Sequence, residues 1–332
     1  MADTRTYSVL SLMKNEGPFI LEWVAHYKAL GFDHIVVCTN DCEDTTVEIL
    51  QHLEKMGLVR HHPTIIRGGG IQRSALRQAR KLPEIQNADW VFVNDADEFL
   101  NIHLGNGTVR SLVEHSGDNI DMISIPWRVF GPKNVFKFHD RPVKQQFNLA
   151  EFGYDQNPEV GKFVKTLFTN HKIYKRLGLH LPVPHPGQDY PPLCVLPGGK
   201  LYLRRGKRTK NPPLFEHAQV NHYALRSAES FLIKRARGRA NHSSHILGTP
   251  YWHRFDLNNV EDNTVRRYDI TAGAWQEKFE TDTELYNLHL QAVEWHRNKA
   301  KELRQHPDFL PLVKDILIAM STVEKNGWPN PV

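Results

Sequence analysis

A short apolar run that ends in a cluster of acidic residues is the feature that most constrains the fold of this chain. Residues Trp90–Val93 have the pattern of a buried strand, and Asp95, Asp97 and Glu98 follow it directly. In open α/β sheets, ligands bind outside the carboxyl ends of the strands. Crowded carboxylates repel one another unless a cation neutralises them, and their oxygens suit Mg²⁺ or Mn²⁺. The pattern predicts a metal and phosphate site at a sheet edge; the alternative is a solvated acidic turn.

The first 125 residues alternate between strand and helix patterns. Strands are predicted near residues 7–12, 34–38, 58–60, 90–93 and 122–126, and helices near 18–30, 45–56 and 71–81. This order implies right-handed crossovers and a mostly parallel sheet with helices on its faces, so the predicted fold class is α/β. Residues 182–199 are rich in proline and glycine and are predicted to form a loop. Further helices are predicted at 226–240, 281–304 and 310–325.

Composition and charge limit the class of protein. The 332 residues fit two domains, or one large domain with an appendage. No apolar run reaches the roughly 18 residues of a membrane span. An export signal is not evident, and three scattered cysteines do not make a disulfide framework, so we expect a cytoplasmic protein. Much of the net charge of +5 lies in two basic runs, 203–210 and 234–239. As a hypothesis, the first run makes peripheral contact with a membrane surface.

Several ordered motifs resemble family 2-type glycosyltransferases, in the branch that opens with K-N-E, E-W and H. They are Lys14-Asn-Glu with Glu22-Trp and His26, then residues 31–34, 94–99, 126–131 and 220–231. The resemblance covers residues 7–240 and implies a GT-A (Rossmann-like) fold. Its nucleotide-sugar half is expected at 1–125 and its acceptor half at 126–240, followed by a mainly helical C-terminal extension at 241–332.

The resemblance also implies a reaction. It implies transfer of a sugar from a UDP- or GDP-sugar to a glycan, lipid or protein acceptor, with inversion and with Mn²⁺ or Mg²⁺, as in polysaccharide biosynthesis. No nucleic acid partner is expected. The chemistry agrees, because the sugar develops oxocarbenium character while a metal stabilises the charge on the departing diphosphate. The alternatives are a nucleotidyl- or phosphotransferase that uses the same acidic site, and a non-catalytic module that only binds nucleotide-sugar.

The acidic run supplies the predicted metal ligands. Asp97 is the ligand favoured by its position, and Asp95 is expected to contact the metal or the donor ribose. Because GT-A enzymes often recruit a distant histidine, His222 is the predicted third ligand. Glu98 is expected to support the site from behind these ligands; the alternative for Glu98 is an ordinary surface position.

The nucleotide base of the donor is expected over the ends of the first two strands. Lys14, Asn15 and Glu16 follow the first strand and are predicted to line this pocket. Asn40 and Asp41 follow the second strand and are alternatives for binding the base, although the family pattern is shifted here. A turn and helix cap is the structural alternative for this loop.

Basic side chains are predicted to hold the diphosphate. Arg73 occupies the place where related enzymes carry a donor-binding residue, and Arg77 on the next turn is its rival. Lys234 and Arg237 share one helix face and, with Arg226, are predicted to clamp the diphosphate from the far side. A solvated basic helix is the alternative.

An inverting transferase needs a carboxylate that removes the proton from the acceptor hydroxyl. Glu229 and Asp189 are the predicted bases, and Glu151 is a further candidate. The acceptor itself is expected near Trp127 and Arg128, because a Trp face stacks on sugar rings. Two histidines that flank the proline-rich loop are also expected to reach the acceptor: His180 and His185.

Overall fold

The computed structural model describes residues 4–152, 163–169, 173–187, 191–202, 204–205, 208–209, 215–238 and 247–326. Asp189, one of the two predicted bases, lies outside these residues. Half of the basic run 203–210, for which membrane contact is hypothesised, also lies outside them.

Strands and helices alternate in the first half of the chain, and helices dominate its last third. The strands are β1 (Tyr7–Met13), β2 (His34–Thr39), β3 (Arg60–Pro63), β4 (Trp90–Val93), β5 (Glu98–Ile102), β6 (Met122–Val129), β7 (Leu149–Ala150), β8 (Val164–Thr169), β9 (Tyr174–Arg176), β10 (Val183–Pro184), β11 (Cys194–Val195), β12 (Arg204–Arg205), β13 (Arg208–Thr209), β14 (Ala218–His222) and β15 (Val260–Glu261). The helices are α1 (Gly17–Ala29), α2 (Thr46–Lys55), α3 (Ile71–Ala79), α4 (Pro83–Gln86), α5 (Val109–Glu114), α6 (Val143–Gln146), α7 (Ala228–Ala236), α8 (Thr249–Phe255), α9 (Asp269–Thr281), α10 (Thr283–Gln305) and α11 (Leu310–Asn326), with a 3₁₀ helix at Thr264–Tyr268.

One curled sheet organises the fold. Within the described residues it has nine strands, in the order β3-β2-β1-β4-β8-β6-β14-β5, with β11 also paired to β6. Strands β3, β2, β1 and β4 run parallel, as do β6 with β14 and β6 with β11. Strand β8 is antiparallel to both β4 and β6, and β5 is antiparallel to β14. The predicted α/β fold class is confirmed, with the correction that antiparallel strands enter the sheet beside β4.

Two local predictions were wrong in their bounds. The strand predicted at 58–60 begins at Arg60, because Leu58 and Val59 pack into the core before the strand starts. The predicted loop 182–199 contains β10 and β11. Proline is compatible with β10 because, among the described residues, this strand pairs with β9 alone and so forms an edge.

The C-terminal helices pack on the helices that flank the sheet. Helix α10 contacts α1, α2 and α7, and its Ala292 and Val293 share one core with Trp23 of α1. A Cβ atom added at Gly17 would lie 2.5 Å from the Cβ of Ala292, so a glycine is needed where α1 and α10 meet. The mainly helical C-terminal segment is confirmed, and the domain boundary at residue 240 stays a prediction. None of the helices in the described part of the chain has the length and apolar character to span a membrane.

Candidate functional site

The turn between β4 and β5 carries the predicted acidic residues, and its backbone is held from several sides. Four consecutive carbonyl oxygens, from Asp95 in the turn to Glu98 at the start of β5, each accept a hydrogen bond: Asp95 from Trp23 Nε1 at 3.3 Å, Ala96 from Arg226 Nη2 at 2.9 Å, Asp97 from the Tyr223 amide at 2.9 Å, and Glu98 from the Tyr27 hydroxyl at 3.2 Å. Two of these donors come from α1, which carries the E-W-x-x-H motif. Trp23 of that motif and the adjacent Tyr27 therefore hold the acidic turn in place at the end of β4.

A fully buried lysine lies behind the turn. The ammonium of Lys165, on β8, is 2.7 Å from Asp95 Oδ2 and 3.1 Å from Glu98 Oε2. Burial raises the pKa of Glu98 to about 8, and Asp95 and Asp97 add to the rise against the opposing effect of Lys165. Glu98 is wholly buried, so it is not the surface residue of the alternative interpretation. Lys165 was not among the predicted residues, although a lysine inside an apolar strand is a recognisable signal.

Asp97 faces the cleft between a lysine and a histidine. Its Oδ2 lies 2.6 Å from Lys234 Nζ and 3.7 Å from His222 Nε2. Burial would raise the pKa of Asp97, but Lys234, His222 and Arg226 outweigh it and hold the pKa well below its usual range. Burial lowers the pKa of His222, against the opposing attraction of Asp97. At neutral pH the pair is therefore an ionised carboxylate beside a neutral imidazole.

A second buried ion cluster joins the start of α1 to α7. Glu16 Oε2 lies 2.8 Å from Arg226 Nη1, and its Oε1 accepts a hydrogen bond from Arg237. Burial would raise the pKa of Glu16, but Arg237 and then Arg226 lower it more, so the pKa stays below its ordinary value. Arg237 also donates to the Lys14 carbonyl at 2.6 Å. The cluster brings the K-N-E segment and the basic helix, which are distant in sequence, to the same place.

A cleft of about 540 Å³ opens beside the acidic turn. It brings together most of the residues that the sequence patterns singled out: Lys14, Glu16, Asn40, Asp95, Asp97, Trp127, His180, His222, Lys234 and Arg237. Lys14, Asn40 and Glu16 lie at the ends of β1 and β2, as a nucleotide pocket over those strands requires. The cleft therefore combines carboxylates, an imidazole and several cations at one edge of the sheet.

The remaining predicted donor residues lie outside this cleft. Asn15 is buried and its Oδ1 accepts a hydrogen bond from the Glu43 amide at 2.8 Å, so its side chain holds the loop after β2. Asp41 is exposed and does not line the cleft, which leaves Asn40 as the better placed of the two alternatives. Arg73 and its rival Arg77 line a neighbouring pocket instead.

The described candidates for the base are also outside the cleft. Glu229 accepts a hydrogen bond from the Phe138 amide at 2.7 Å, and its Oε1 lies 3.2 Å from Arg304 Nε. This carboxylate therefore joins α7 to a loop and to α10. Glu151 is buried and accepts a hydrogen bond from the Val129 amide at 3.0 Å, and burial raises its pKa to about 7. Neither carboxylate lines the cleft.

Three residues can supply ligands to a divalent metal. Asp97 and His222 face each other in the protonation states that metal coordination requires, and Asp95 lies at the mouth of the same turn. Among the described residues, no group of three or more such side chains is already drawn together as a metal site. The ammonium of Lys234 occupies one oxygen of Asp97, and Lys165 occupies one oxygen of Asp95. Carboxylate oxygens and an imidazole nitrogen are suitable ligands for Mn²⁺ or Mg²⁺. A metal ion bound here would compete with Lys165 and Lys234 for the carboxylate oxygens.

An aromatic wall faces the acidic turn across the cleft. The Trp127 ring lies 4.3 Å from the ring of His222, 5.2 Å from that of Phe163 and 5.3 Å from that of His180, measured between centroids. The indole Nε1 of Trp127 is buried without a hydrogen-bond partner among the described residues. Arg128, which was predicted to lie near the acceptor with Trp127, does not line the cleft and instead pairs with Asp262 at 2.8 Å. His185 is exposed and lines none of these surfaces.

Solved structures give only weak similarities. The chain is similar to TarS of S. aureus in complex with UDP, at 18% identity over 37% of this chain and 35% of that one, with a TM-score of 0.29. It is also similar to glucosyl-3-phosphoglycerate synthase of Mycobacterium tuberculosis in complex with Mn²⁺, UDP and glucosyl-3-phosphoglycerate, at 15% identity over 51% and 58% of the two chains, with a TM-score of 0.29. At TM-scores this low, the likeness supports no conclusion about this protein.

The family comparison is firmer. A family model described as glycosyltransferase family 92 matches residues 9–180, just over half of the chain. A family 92 protein of Ricinus communis is 26% identical over 133 residues, which are 38% of this chain and 23% of that protein. The chain thus spans about a quarter of the length of this relative. The predicted class, a glycosyltransferase, is confirmed at the level of the family, although the motifs pointed to family 2. This chain belongs to glycosyltransferase family 92.

Proposed function

We propose that this protein transfers a sugar from a nucleoside-diphosphate sugar to an acceptor hydroxyl, with a divalent metal at Asp95, Asp97 and His222. The observation that carries the proposal is the cleft at the end of β4, where these three residues open onto Lys14, Lys234 and Arg237. Membership of a glycosyltransferase family supports the same reaction class. UDP- or GDP-sugars are the proposed donors, and a glycan, lipid-linked or protein hydroxyl is the proposed acceptor.

The charges in the cleft suit a diphosphate. Lys234 and Arg237 lie one turn apart on the same face at the end of α7, and both line the cleft. Lys234 now lies 2.6 Å from Asp97, so one ammonium has the reach to serve either that carboxylate or an anionic ligand beside it. Arg237 is anchored by Glu16, which fixes the direction of its guanidinium. Cations held in this way stabilise charge that develops on a departing diphosphate.

A bound Mn²⁺ or Mg²⁺ supplies Lewis-acid stabilisation of the diphosphate leaving group. The protein's part is to hold Asp97 ionised and His222 neutral, which the surrounding cations and burial achieve. Lys165 neutralises Asp95 and lies beside Glu98, so the acidic turn carries less net repulsion than its sequence implies.

The acceptor is proposed to lie against the aromatic wall. Trp127, Phe163 and His180 line the cleft, and sugar rings stack on aromatic faces. Asp189 remains the proposed base for an inverting transfer, and Glu229 is a weaker candidate because its carboxylate is engaged elsewhere.

The decisive experiment measures nucleoside-diphosphate release from a panel of nucleotide sugars, with Mn²⁺ and with EDTA. Asp97→Asn should abolish release, because it removes both the metal ligand and the partner of Lys234. Glu48→Gln, an exposed change on α2, is the matched control and should behave as the wild type. Pyrophosphate release from a nucleoside triphosphate would instead support the nucleotidyltransferase. Donor binding without release, with a full acceptor panel present, would support the non-catalytic module.

Lys234→Met separates the two roles proposed for this lysine. Loss of the competing ammonium should tighten Mn²⁺ binding to Asp97 and weaken binding of the nucleoside diphosphate. Both affinities are measured by calorimetry on the same preparation. Parallel weakening of metal and nucleotide binding would contradict the competition, because it would mean that Lys234 only supports the fold of the site.

A further inference from the structure

A second pocket, of about 580 Å³, lies next to the donor cleft. Its cations come from two walls: Arg73 and Arg77 on α3 with Arg80 directly after it, and Lys175 and Arg176 on β9. The three arginines recur at helical spacing and therefore share one face of α3. No acidic residue is among the described residues that line this pocket. We call it the arginine pocket.

Like charges at this density repel one another, so the arrangement calls for an anion. Arg80 is engaged in joining the walls, because its guanidinium donates to the carbonyls of Tyr174, at 2.6 Å, and Lys175. Arg77, Lys175 and Arg176 are exposed, and no described carboxylate lies within ion-pair distance of them. The rim is therefore strongly cationic and available to a ligand.

Arg73 is held towards the pocket by the glycine loop before α3. A Cβ atom added at Gly69 would lie 2.7 Å from Arg73 Cδ and 3.5 Å from Nη1, so the arginine folds back over this glycine. Gly69 has a φ of +102°, which L side chains rarely adopt. The loop thus provides the room that Arg73 needs to stay at the pocket.

The arginine pocket and the donor cleft share a wall. Gln72, Leu179 and His180 line both, and the ring of His180 contacts that of Trp127, with 5.3 Å between the centroids. The floor of the arginine pocket is apolar and consists of Leu76, Leu177, Leu181 and Val183. A molecule that places one hydroxyl near Trp127 can therefore extend past His180 and bring an anionic group to the arginines.

We propose that the arginine pocket binds a phosphate group carried by the acceptor. Guanidinium groups recognise phosphate through paired hydrogen bonds, and several converging cations favour phosphate over a singly charged carboxylate. The proposal rests on the proposed function, because the acceptor role follows from the shared wall. Under this proposal, Arg73 and Arg77 bind the phosphate of the acceptor and not the diphosphate of the donor.

The test measures binding without any donor, by calorimetry at low ionic strength. Glucose 6-phosphate, glucuronate and glucose serve as probes that differ only in the charged group near the sugar. Arg77→Gln and Arg176→Gln change one arginine on each wall, and Arg297→Gln on the exposed face of α10 is the matched control. Glucose 6-phosphate should bind more tightly than both other probes, and each pocket variant should weaken it by about tenfold. The control should bind as the wild type does.

A second arm identifies the source of the phosphate. Phosphatidylcholine vesicles with and without phosphatidylglycerol are tested for sedimentation with the same variants. Binding of anionic vesicles that needs Arg77 and Arg176, without binding of glucose 6-phosphate, would assign the phosphate to a lipid-borne acceptor. Binding of glucose 6-phosphate alone would assign it to a soluble one.

Two outcomes overturn the proposal, and they can be told apart from failure of the proposed function. Measurable binding of glucuronate that equals that of glucose 6-phosphate, unchanged phosphate affinity in both variants, or no binding of either glucose 6-phosphate or anionic vesicles would refute a phosphate site even if the enzyme turns over its donor. Phosphate binding that depends on both arginines supports the site even if no donor is turned over. Once a donor is known, the variants should raise the KM for a phosphorylated acceptor and leave kcat unchanged.

Discussion

Replacement of Arg226 by methionine tests how far the buried ion cluster stabilises the fold. The side chain donates to Glu16 at 2.8 Å and to the Ala96 carbonyl at 2.9 Å, and its guanidinium lies 3.7 Å from the ring centre of Phe19. Two charge-assisted hydrogen bonds contribute about 1.5–3 kcal/mol each. Methionine offsets part of this lost free energy, because its burial does not desolvate a charge. Arg237 still neutralises Glu16 in the variant. We expect Arg226→Met to lower the free energy of unfolding by about 3 kcal/mol.

Urea denaturation of the wild type, Arg226→Met, Glu16→Gln and the double variant measures this value as a double-mutant cycle. The double variant should be less destabilised than the sum of the single variants, by about 1–3 kcal/mol, because the two side chains interact directly. The pKa of Glu16 is lowered in the folded protein, so its contribution is present above pH 4.5 and is lost as the pH falls through the lowered value. The difference between the wild type and Arg226→Met should therefore shrink below about pH 4.5.

The role assigned to this ion pair would be refuted if the two single substitutions changed the free energy of unfolding additively. It would also be refuted if the stability difference between the wild type and Arg226→Met grew as the pH falls. Arg226→Lys is the informative control. A lysine keeps the charge but has no planar fork to reach Glu16 and Ala96 together, so its stability should lie between those of the wild type and Arg226→Met.

Four further changes have defined outcomes. Glu229→Gln should lower the free energy of unfolding by about 1–3 kcal/mol and leave turnover of bound donor unchanged, and a loss of kcat without a loss of stability would restore Glu229 as the base. Gly131→Ala should destabilise by more than about 2 kcal/mol, because its Cβ would lie 2.2 Å from Asn258 Oδ1. Gly273→Ala, a helical position with nothing within 4 Å of the added Cβ, should instead stabilise by about 0.5–1 kcal/mol in the same urea assay. Burial raises the folded pKa of Glu151 to about 7, so this group should make the wild type lose stability as the pH rises from about 4.5 to 7. Glu151→Gln should make that slope shallower in urea midpoints recorded across this range, and Glu98, whose pKa is raised to about 8, should keep part of it.

Local patterns predicted those parts of the fold that depend on neighbouring residues. The apolar run at Trp90–Val93 forms β4 as predicted, and the acids that follow it lie at the cleft, because a buried strand and its exit are set by adjacent side chains. His222 lies beside Asp97 because β14 pairs with β5, which starts at Glu98. The motif at residues 220–231 suggested that His222 lies near Asp97, whereas the spacing of the predicted strands alone did not.

Local patterns are uninformative where distant segments decide which side chains meet. The insertion of antiparallel β8 between β4 and β6 brings Lys165 to the acids from 70 residues away, and no local pattern specifies this partner. Glu229 has the charge and motif context of a catalytic base, yet its carboxylate is engaged by Phe138 and by Arg304 of α10. The sequence shows which side chains are charged, but only the packing of the folded chain determines which groups they pair with.

The span of the contacts around Glu16 has a consequence for biosynthesis. Its two arginines follow it by 210 and 221 residues, and Thr45, at the start of α2, donates to the Leu288 carbonyl across 243 residues. During synthesis the N-terminal strands therefore emerge long before their partners, with Glu16 carrying a charge that nothing neutralises. Contacts of this length slow folding and leave partly folded chains exposed to aggregation. Release of the nascent chain before α10 has emerged should yield protein that chaperones retain, and the cleft should become able to bind its ligand only when α7 and α10 have docked.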